Sequence, residues 1–344
     1  MTLEINQLFE ANPETFNKFI SGVNRQYAVV SSEPIMKAIY LNKQGEAEAL
    51  VSGDIAQPVV ADGQALVKVH ATAIMPTELD WYTTFKTPSG EARAFPIVLS
   101  HEFSGTIAST GPNVSGWKAG EAVYGLNDWF INGAEAEFCV CAATGIARKP
   151  ATLRHDEAAI VPISALTAWQ GLFERIELER GDRVLIHGAA GGVGTFAVQL
   201  ARWRGAHVIA TASAHNIDFV RALGADEVID YKAMRFEEVV RGVHAVFDTA
   251  GGETLRKSWG VLIKGGKLVT VSSQIEKSAD QRSRDAFMLV RADGEQLEEI
   301  GNLIDAGELR VFQETAYPIA DAKAAYLRAR RGGMRGKIAL NVVQ

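Results

Sequence analysis

The densest chemical signal in this chain of 344 residues is Val184-Leu185-Ile186-His187-Gly188-Ala189-Ala190-Gly191-Gly192-Val193-Gly194. The buried-strand pattern of Arg183 to His187 runs into a glycine turn, and the turn opens into the helical stretch Thr195 to Ala201. Glycines in that context have separable tasks. Gly191 and Gly192 let the backbone approach a pyrophosphate, Gly194 permits close helix–strand packing, and the helix N-terminus faces the anion. The expectation is a dinucleotide site formed by Gly188, Ala189, Ala190, Gly191, Gly192, Val193 and Gly194. The end of the next strand, about 20 residues on, decides which dinucleotide. An acidic residue there would take a ribose 2′-hydroxyl. This chain reads Thr211-Ala212-Ser213-Ala214-His215-Asn216, with no carboxylate before Asp218. A 2′-phosphate, which a carboxylate would repel, finds Ser213, His215 and Asn216, with Tyr231 and Lys232 as further candidates. No arginine stands in the loop itself. NADPH is the expected cofactor.

A second constellation is Ser100-His101-Glu102, with Glu78 upstream. One histidine and two glutamates number three possible zinc ligands, a set that chemistry alone leaves open, although His101 reads rather as a structural hydrogen-bonder lining the cleft. The two cysteines, Cys139 and Cys141, alternate in a strand-like run. Their side chains share one face, a geometry that disfavours a disulfide, so both read as reduced packing residues.

These residues need elements to hold them. Residues 1–35 read as an N-terminal appendage, with Leu8, Phe9, Phe16, Phe19, Ile20 and Val23 near helical spacing and Asn12-Pro13-Glu14 reading as a helix start. From Met36 short strands alternate with turns, as in Lys37–Leu41 and Ala65–Ala71, up to about Pro150. From about Thr152 strands and helices alternate: His207–Ala212, then Ile217–Leu223, Glu227–Asp230, Ala245–Asp248, Lys267–Val271 and a helix near Gly294–Ala306. That alternation predicts a parallel, doubly wound sheet. A last strand at Gly336–Val342 would return to the first domain and make it discontinuous. Net charge is −6, so no basic field exists to attract nucleic acid or anionic lipid. The start Met1-Thr2-Leu3-Glu4-Ile5 has neither a basic nor an apolar run, and no stretch approaches the roughly 20 apolar residues that cross a bilayer. The expectation is a cytosolic protein.

Leu166-Thr167-Ala168-Trp169, the glycine run, Leu223-Gly224-Ala225-Asp226, Val228-Ile229-Asp230-Tyr231 and Gly336-Lys337-Ile338 together resemble the zinc-free, quinone oxidoreductase-like branch of the medium-chain dehydrogenases/reductases. The resemblance covers residues 36–344. It implies an α/β protein with a GroES-like β-rich catalytic domain at 36–158 and 309–344 and a doubly wound Rossmann domain at 159–308. It implies a homodimer and adds Ser272, Leu289 and Lys337 to the cofactor-binding residues. The stretch Phe287-Met288-Leu289-Val290 would hold the nicotinamide carboxamide. In zinc enzymes of this family two further ligands stand where this chain has Met75 and Pro162 or Ile163. Tyr82, Thr77 and Trp129 become candidate hydrogen-bond donors in the cleft, with Thr167 against the nicotinamide. A tyrosine of related quinone reductases falls at Asp80, and Tyr82 is its nearest substitute. Trp81, Phe85 and Trp129 would wall an aromatic acceptor. The implied reaction is hydride transfer from NADPH to a quinone or other conjugated carbonyl, in which delocalisation replaces the metal. An enone or alkenal double-bond reductase and a non-enzymatic NADPH-binding protein are the alternatives.

Overall fold

A computed structural model describes residues 34–272 and 280–343. The helix expected between Asn12 and Val23 lies outside them.

Five strands form the nucleotide-side sheet: β9 (Arg183–Ile186), β10 (His207–Ala212), β11 (Glu227–Asp230), β12 (Val243–Asp248) and β13 (Leu262–Thr270). Their order is β11-β10-β9-β12-β13, and every neighbouring pair is parallel. A parallel sheet is covered on both faces, so its strands read as continuous apolar runs. Val184, Ile186, Val208, Ala210 and Phe247 supply one core, while Leu185, Ile209, Ile229, Val246 and Leu268 supply the other. Strand order reverses between β9 and β12, and ligands of open α/β sheets bind at such a switch point. Strand β13 starts five residues before the expected Lys267. Gly265, at φ +82°, and Gly266 lie within the strand, beside a register irregularity at Val243/Ala245.

The β-rich half carries β1 (Ile35–Leu41), β2 (Leu50–Ala56), β3 (Gln64–Ala73), β4 (Ile97–Val98), β5 (Glu102–Thr110), β6 (Ala122–Leu126), β7 (Phe138–Ala142), β8 (Ile146–Arg148), β14 (Gln313–Pro318) and β15 (Lys337–Asn341). Its larger sheet runs β14-β15-β3-β5-β6-β8, with β7 also on β3; the smaller is β2-β1-β4. Strand β15 pairs antiparallel with β3, Ala339 opposite Ala73, so the chain's end does return to this half. Cys139 and Cys141 lie on β7, both buried and free, and burial pushes the Cys141 thiol up to about 12. Neither is a reactive thiolate at neutral pH.

Five helices matter for the site: α1 (Tyr82–Phe85), α2 (Pro162–Trp169), α3 (Gly192–Arg204), α4 (Gly294–Asp305) and α5 (Ala322–Arg330). Helix α3 stops where Gly205 turns left-handed at φ +88°. From Met36 onward the described residues form one compact unit.

Candidate active site

The glycine turn follows β9 directly. Gly188 sits at φ +69°, where a Cβ would lie 2.1 Å from Thr249 Oγ1. A Cβ on Gly194 would lie 2.2 Å from Gly188 O and 2.7 Å from Ala189 Cα. Both positions therefore need glycine for packing. Gly191 differs, since its Cβ would meet nothing nearer than 3.5 Å. Gly191 is also the N-cap of α3 and offers no side-chain cap, which leaves the first helical N–H groups free to take an anion. The chain's end clamps this turn: Gly336 N–H donates to Ala190 O at 2.9 Å.

Two cavities flank the turn. One, of about 230 Å³, is lined by Met75, Thr77, Trp81, Trp129, Ile163, Thr167, Val193, Thr249, Ser272 and Leu289, among others. The other, of about 440 Å³, is lined by His187, Gly188, Thr211, Tyr231, Phe236 and Ala250, among others. Gly188 and Val193 thus face opposite cavities, as do Ala250 and Thr249 at the end of β12. An elongated ligand with its middle on the N-terminus of α3 would place one end in each.

The larger cavity begins at His187, a residue that sequence reasoning did not single out. Ser258 Oγ donates to Thr254 O at 2.7 Å, so it accepts from His187 Nε2 at 3.0 Å. His187 Nδ1 then accepts from Thr211 Oγ1 at 3.0 Å. Burial holds this imidazole neutral, its pKa pushed down to about 3. The ring ties β9 to β10 at the switch point.

The expected catalytic residues divide. Thr77, Trp129 and Thr167 share the smaller cavity; Tyr82 does not. Tyr82 is 45% exposed, with its hydroxyl 3.6 Å from where a Cβ on Gly90 would sit. Trp81 and Tyr82 are consecutive at the start of a single helical turn, and Trp81 is the one that turns inward, 8% exposed. Phe85 packs on the core around Leu41 and Leu79, so the aromatic wall reduces to Trp81 and Trp129, edge to face at 4.9 Å. Trp129 Nε1 already donates to Val290 O at 3.0 Å and Thr167 Oγ1 to Ile163 O at 2.5 Å. Among the described residues, Thr77 keeps an unpaired hydroxyl at the cavity.

Of the expected cofactor residues, Val193, Ser272 and Leu289 face the smaller cavity, and Gly188 and Tyr231 the larger. Lys337 is nearly buried beneath the turn, its ammonium paired with Glu102 and its Cδ 3.6 Å from a Cβ placed on Gly192. Ser213 and Asn216 close one turn, Asn216 N–H to Ser213 O at 2.8 Å. An arginine does reach that loop. Arg335 Nε donates to Asn216 Oδ1 and its Nη2 to His215 O, each at 2.9 Å. No local spacing reveals this contact, because the partners are 119 and 120 residues apart.

A model described as "Alcohol dehydrogenase GroES-like domain" matches residues 61–165, and one described as "Zinc-binding dehydrogenase" matches residues 223–340. The mitochondrial NAD(P)H oxidoreductase RTN4IP1 of Mus musculus is 30% identical, over 90% of this chain and 90% of its own. The chloroplast envelope quinone oxidoreductase homolog of Arabidopsis thaliana is 28% identical, over 88% of this chain and 98% of its own. The structure of the quinone oxidoreductase from Coxiella burnetii superposes with TM-score 0.82 at 29% identity, covering 90% of this chain and 100% of that one. The chain belongs to the medium-chain dehydrogenase/reductase superfamily, in its quinone oxidoreductase-like branch. It is an NAD(P)H-dependent oxidoreductase with a GroES-like domain and a Rossmann domain.

The expectation of a cytosolic protein is corrected by these relatives, one mitochondrial and one of the chloroplast envelope. The residues at the start spoke only to a secretory leader, and organelle import uses a different, amphipathic pattern. Among the described residues no helix is long and apolar enough to cross a membrane.

The second matching model's description implies zinc, and the residues here do not fit it. His101 is buried with Nδ1 3.2 Å from Glu78 Oε2 and Nε2 3.2 Å from Ile131 O. Glu102 is occupied by Lys337 and by Ile163 N–H at 2.9 Å. Met75 and Ile163 present thioether and alkyl groups to the cavity, and Pro162 begins α2. Among the described residues no three His, Cys, Asp or Glu side chains converge.

Proposed function

We propose that this protein is an NADPH-dependent reductase of quinones and other conjugated carbonyl acceptors, working without a metal and as a homodimer. One observation carries the reading: the cavity beside the glycine turn combines an aromatic wall and the free Thr77 hydroxyl with, among the described residues, no ligand set for zinc. When bound, the reduced nicotinamide supplies a hydride to the acceptor.

The chain's own residues do the rest. Gly188 to Gly194 receive the pyrophosphate, with Lys337, its ammonium paired with Glu102, packed beneath the turn. Tyr231 borders the adenosine end, and Ser213, His215 and Asn216 surround the 2′-phosphate. Ser272 and the backbone around Leu289 orient the nicotinamide, and Thr167 packs beside it. Trp81 and Trp129 exclude water and offer a flat apolar surface to a conjugated ring. Thr77 Oγ1 donates to the acceptor oxygen as negative charge gathers there. A conjugated acceptor spreads that charge, so a hydroxyl and a proton from water suffice where an isolated carbonyl would need a Lewis acid. The domain division at 36–158 with 309–344, and 159–308, belongs to the same proposal.

The test is NADPH consumption against panels of quinones, enones and simple aldehydes. Quinones and enones should be reduced and simple aldehydes should not, with deuterium from labelled NADPH at the β-carbon of an enone product. Label at the carbinol carbon would make the protein a metal-free carbonyl reductase. Tight NADPH binding with no turnover of any acceptor would leave only a nucleotide-binding protein.

A further inference from the structure

We infer that Trp81 sets the width of the acceptor, admitting a single conjugated ring or a short enone and turning fused bicyclic acceptors away; this rests on the quinone reading above. The smaller cavity measures about 230 Å³, below the roughly 300–1,000 Å³ of most ligand pockets, and in that reading the nicotinamide shares it. Trp81 and Trp129 stand in its wall, both buried. Their ring planes meet at 72° with centroids 4.9 Å apart, so together they make a corner. A flat acceptor that stacks on either indole meets the other across its edge. One ring fits against such a corner, whereas a second ring fused in the same plane runs into the crossing indole.

The two tryptophans are held differently, and that difference singles out Trp81. Trp129 Nε1 donates to Val290 O at 3.0 Å, in the stretch beside the nicotinamide, and its ring lies 5.1 Å from that of His101. Changing Trp129 therefore disturbs the backbone that orients the cofactor. Trp81 Nε1 is buried with no hydrogen-bond partner among the described residues, so packing alone positions its ring. The backbone beneath that ring is secured independently. Trp81 O accepts Thr84 N–H at 3.3 Å, and Arg93 Nη1 donates to Thr83 O at 3.3 Å and to Thr84 O at 3.1 Å, near the other end of α1. Cutting back the indole thus leaves the turn in place, and the space released joins the cavity.

The experiment measures kcat/KM with NADPH for benzoquinone and naphthoquinone, each divided by its rate with free NADPH, on wild type, Trp81→Ala and Trp81→Phe. Wild type should favour the single ring by about tenfold or more. Trp81→Ala should shrink that ratio by about tenfold, with NADPH affinity by titration calorimetry within about threefold of wild type. Trp81→Phe, which trims the indole to one ring, should move the ratio part of the way and decides the matter if the alanine variant does not fold. An unchanged ratio, with both quinones slowed alike or neither affected, would make Trp81 a packing residue and overturn the inference while the quinone reading stands. A wild type that prefers naphthoquinone would overturn it equally. No turnover of either quinone by wild type would remove the quinone reading and the inference together.

Discussion

Gly191 and Gly194 look alike in the sequence and are not alike in space. A methyl on Gly194 meets backbone atoms at 2.2 and 2.7 Å, while one on Gly191 meets nothing within 3.4 Å. Gly194→Ala should therefore cost about 1–3 kcal/mol of folding stability as overpacking. Gly191→Ala should stay within about 0.5 kcal/mol, as an unstrained surface change does, yet weaken NADPH binding by filling the space a pyrophosphate needs. Urea unfolding and NADPH titration on both variants check the split. Thr77→Val removes the hydroxyl proposed to meet the acceptor oxygen. It should lower kcat/KM for a quinone tenfold or more, about 1.4 kcal/mol, with NADPH affinity unchanged. Equal activity would return the acceptor oxygen to solvent.

Elements hold these residues through a few polar ties. Gln170, where α2 runs on past Trp169, bonds the backbone of Arg291 twice, and Thr270 at the end of β13 bonds Ala286 and Met288. Those bonds fix the stretch carrying Phe287 to Val290, which in turn accepts the Trp129 indole N–H. The corresponding tie between β9 and β10 is His187, and it carries a pH signature. Its pKa is depressed from 6.5 to about 3 in the native protein, so between those values the unfolded chain holds one more proton than the folded one. The contribution is complete above pH 6.5 and is lost as pH falls toward 3, at up to about 1.4 kcal/mol per pH unit. His187→Asn should make the acid limb of stability against pH shallower by about one proton in urea unfolding series. His155, held at about 4 by burial and by its stack on His70, leaves a residual slope.

At the scale of the whole molecule, the two halves meet at a buried charge. Glu102 on β5 accepts from Ile163 N–H of α2 and pairs with Lys337 of β15, directly under the glycine turn. Burial raises the Glu102 pKa and the Lys337 charge opposes that rise. Removing one partner strands the other in the interior, at a cost of about 3–5 kcal/mol. Lys337→Met should therefore destabilise strongly, and adding Glu102→Gln should recover much of the loss in thermal unfolding. A small effect from the single variant would mean that water reaches Glu102.

The parallel, doubly wound character of the nucleotide-side sheet and the glycine turn were legible in the sequence because each rests on local chemistry, whereas the strand order and its switch point came from the structure. Parallel strands buried on both faces must be continuously apolar, and a turn at a helix N-terminus must shed its side chains. The missing carboxylate after Thr211 was legible for the same reason, and the missing cysteines at Met75 and at Pro162 or Ile163 through the family resemblance. Residue type alone could not say which way a side chain points. Tyr82 and Trp81 differ by one helical step, and packing turned the tryptophan inward. Trp129 looked like a donor until folding paired its indole hydrogen with Val290. Arg335 reaches Asn216, and Lys337 reaches Glu102 across 235 residues, only because β15 docks beside β3 and carries that segment beneath the turn. Local spacing sets strands, turns and helix ends, whereas contacts between distant segments exist only once the sheets have closed.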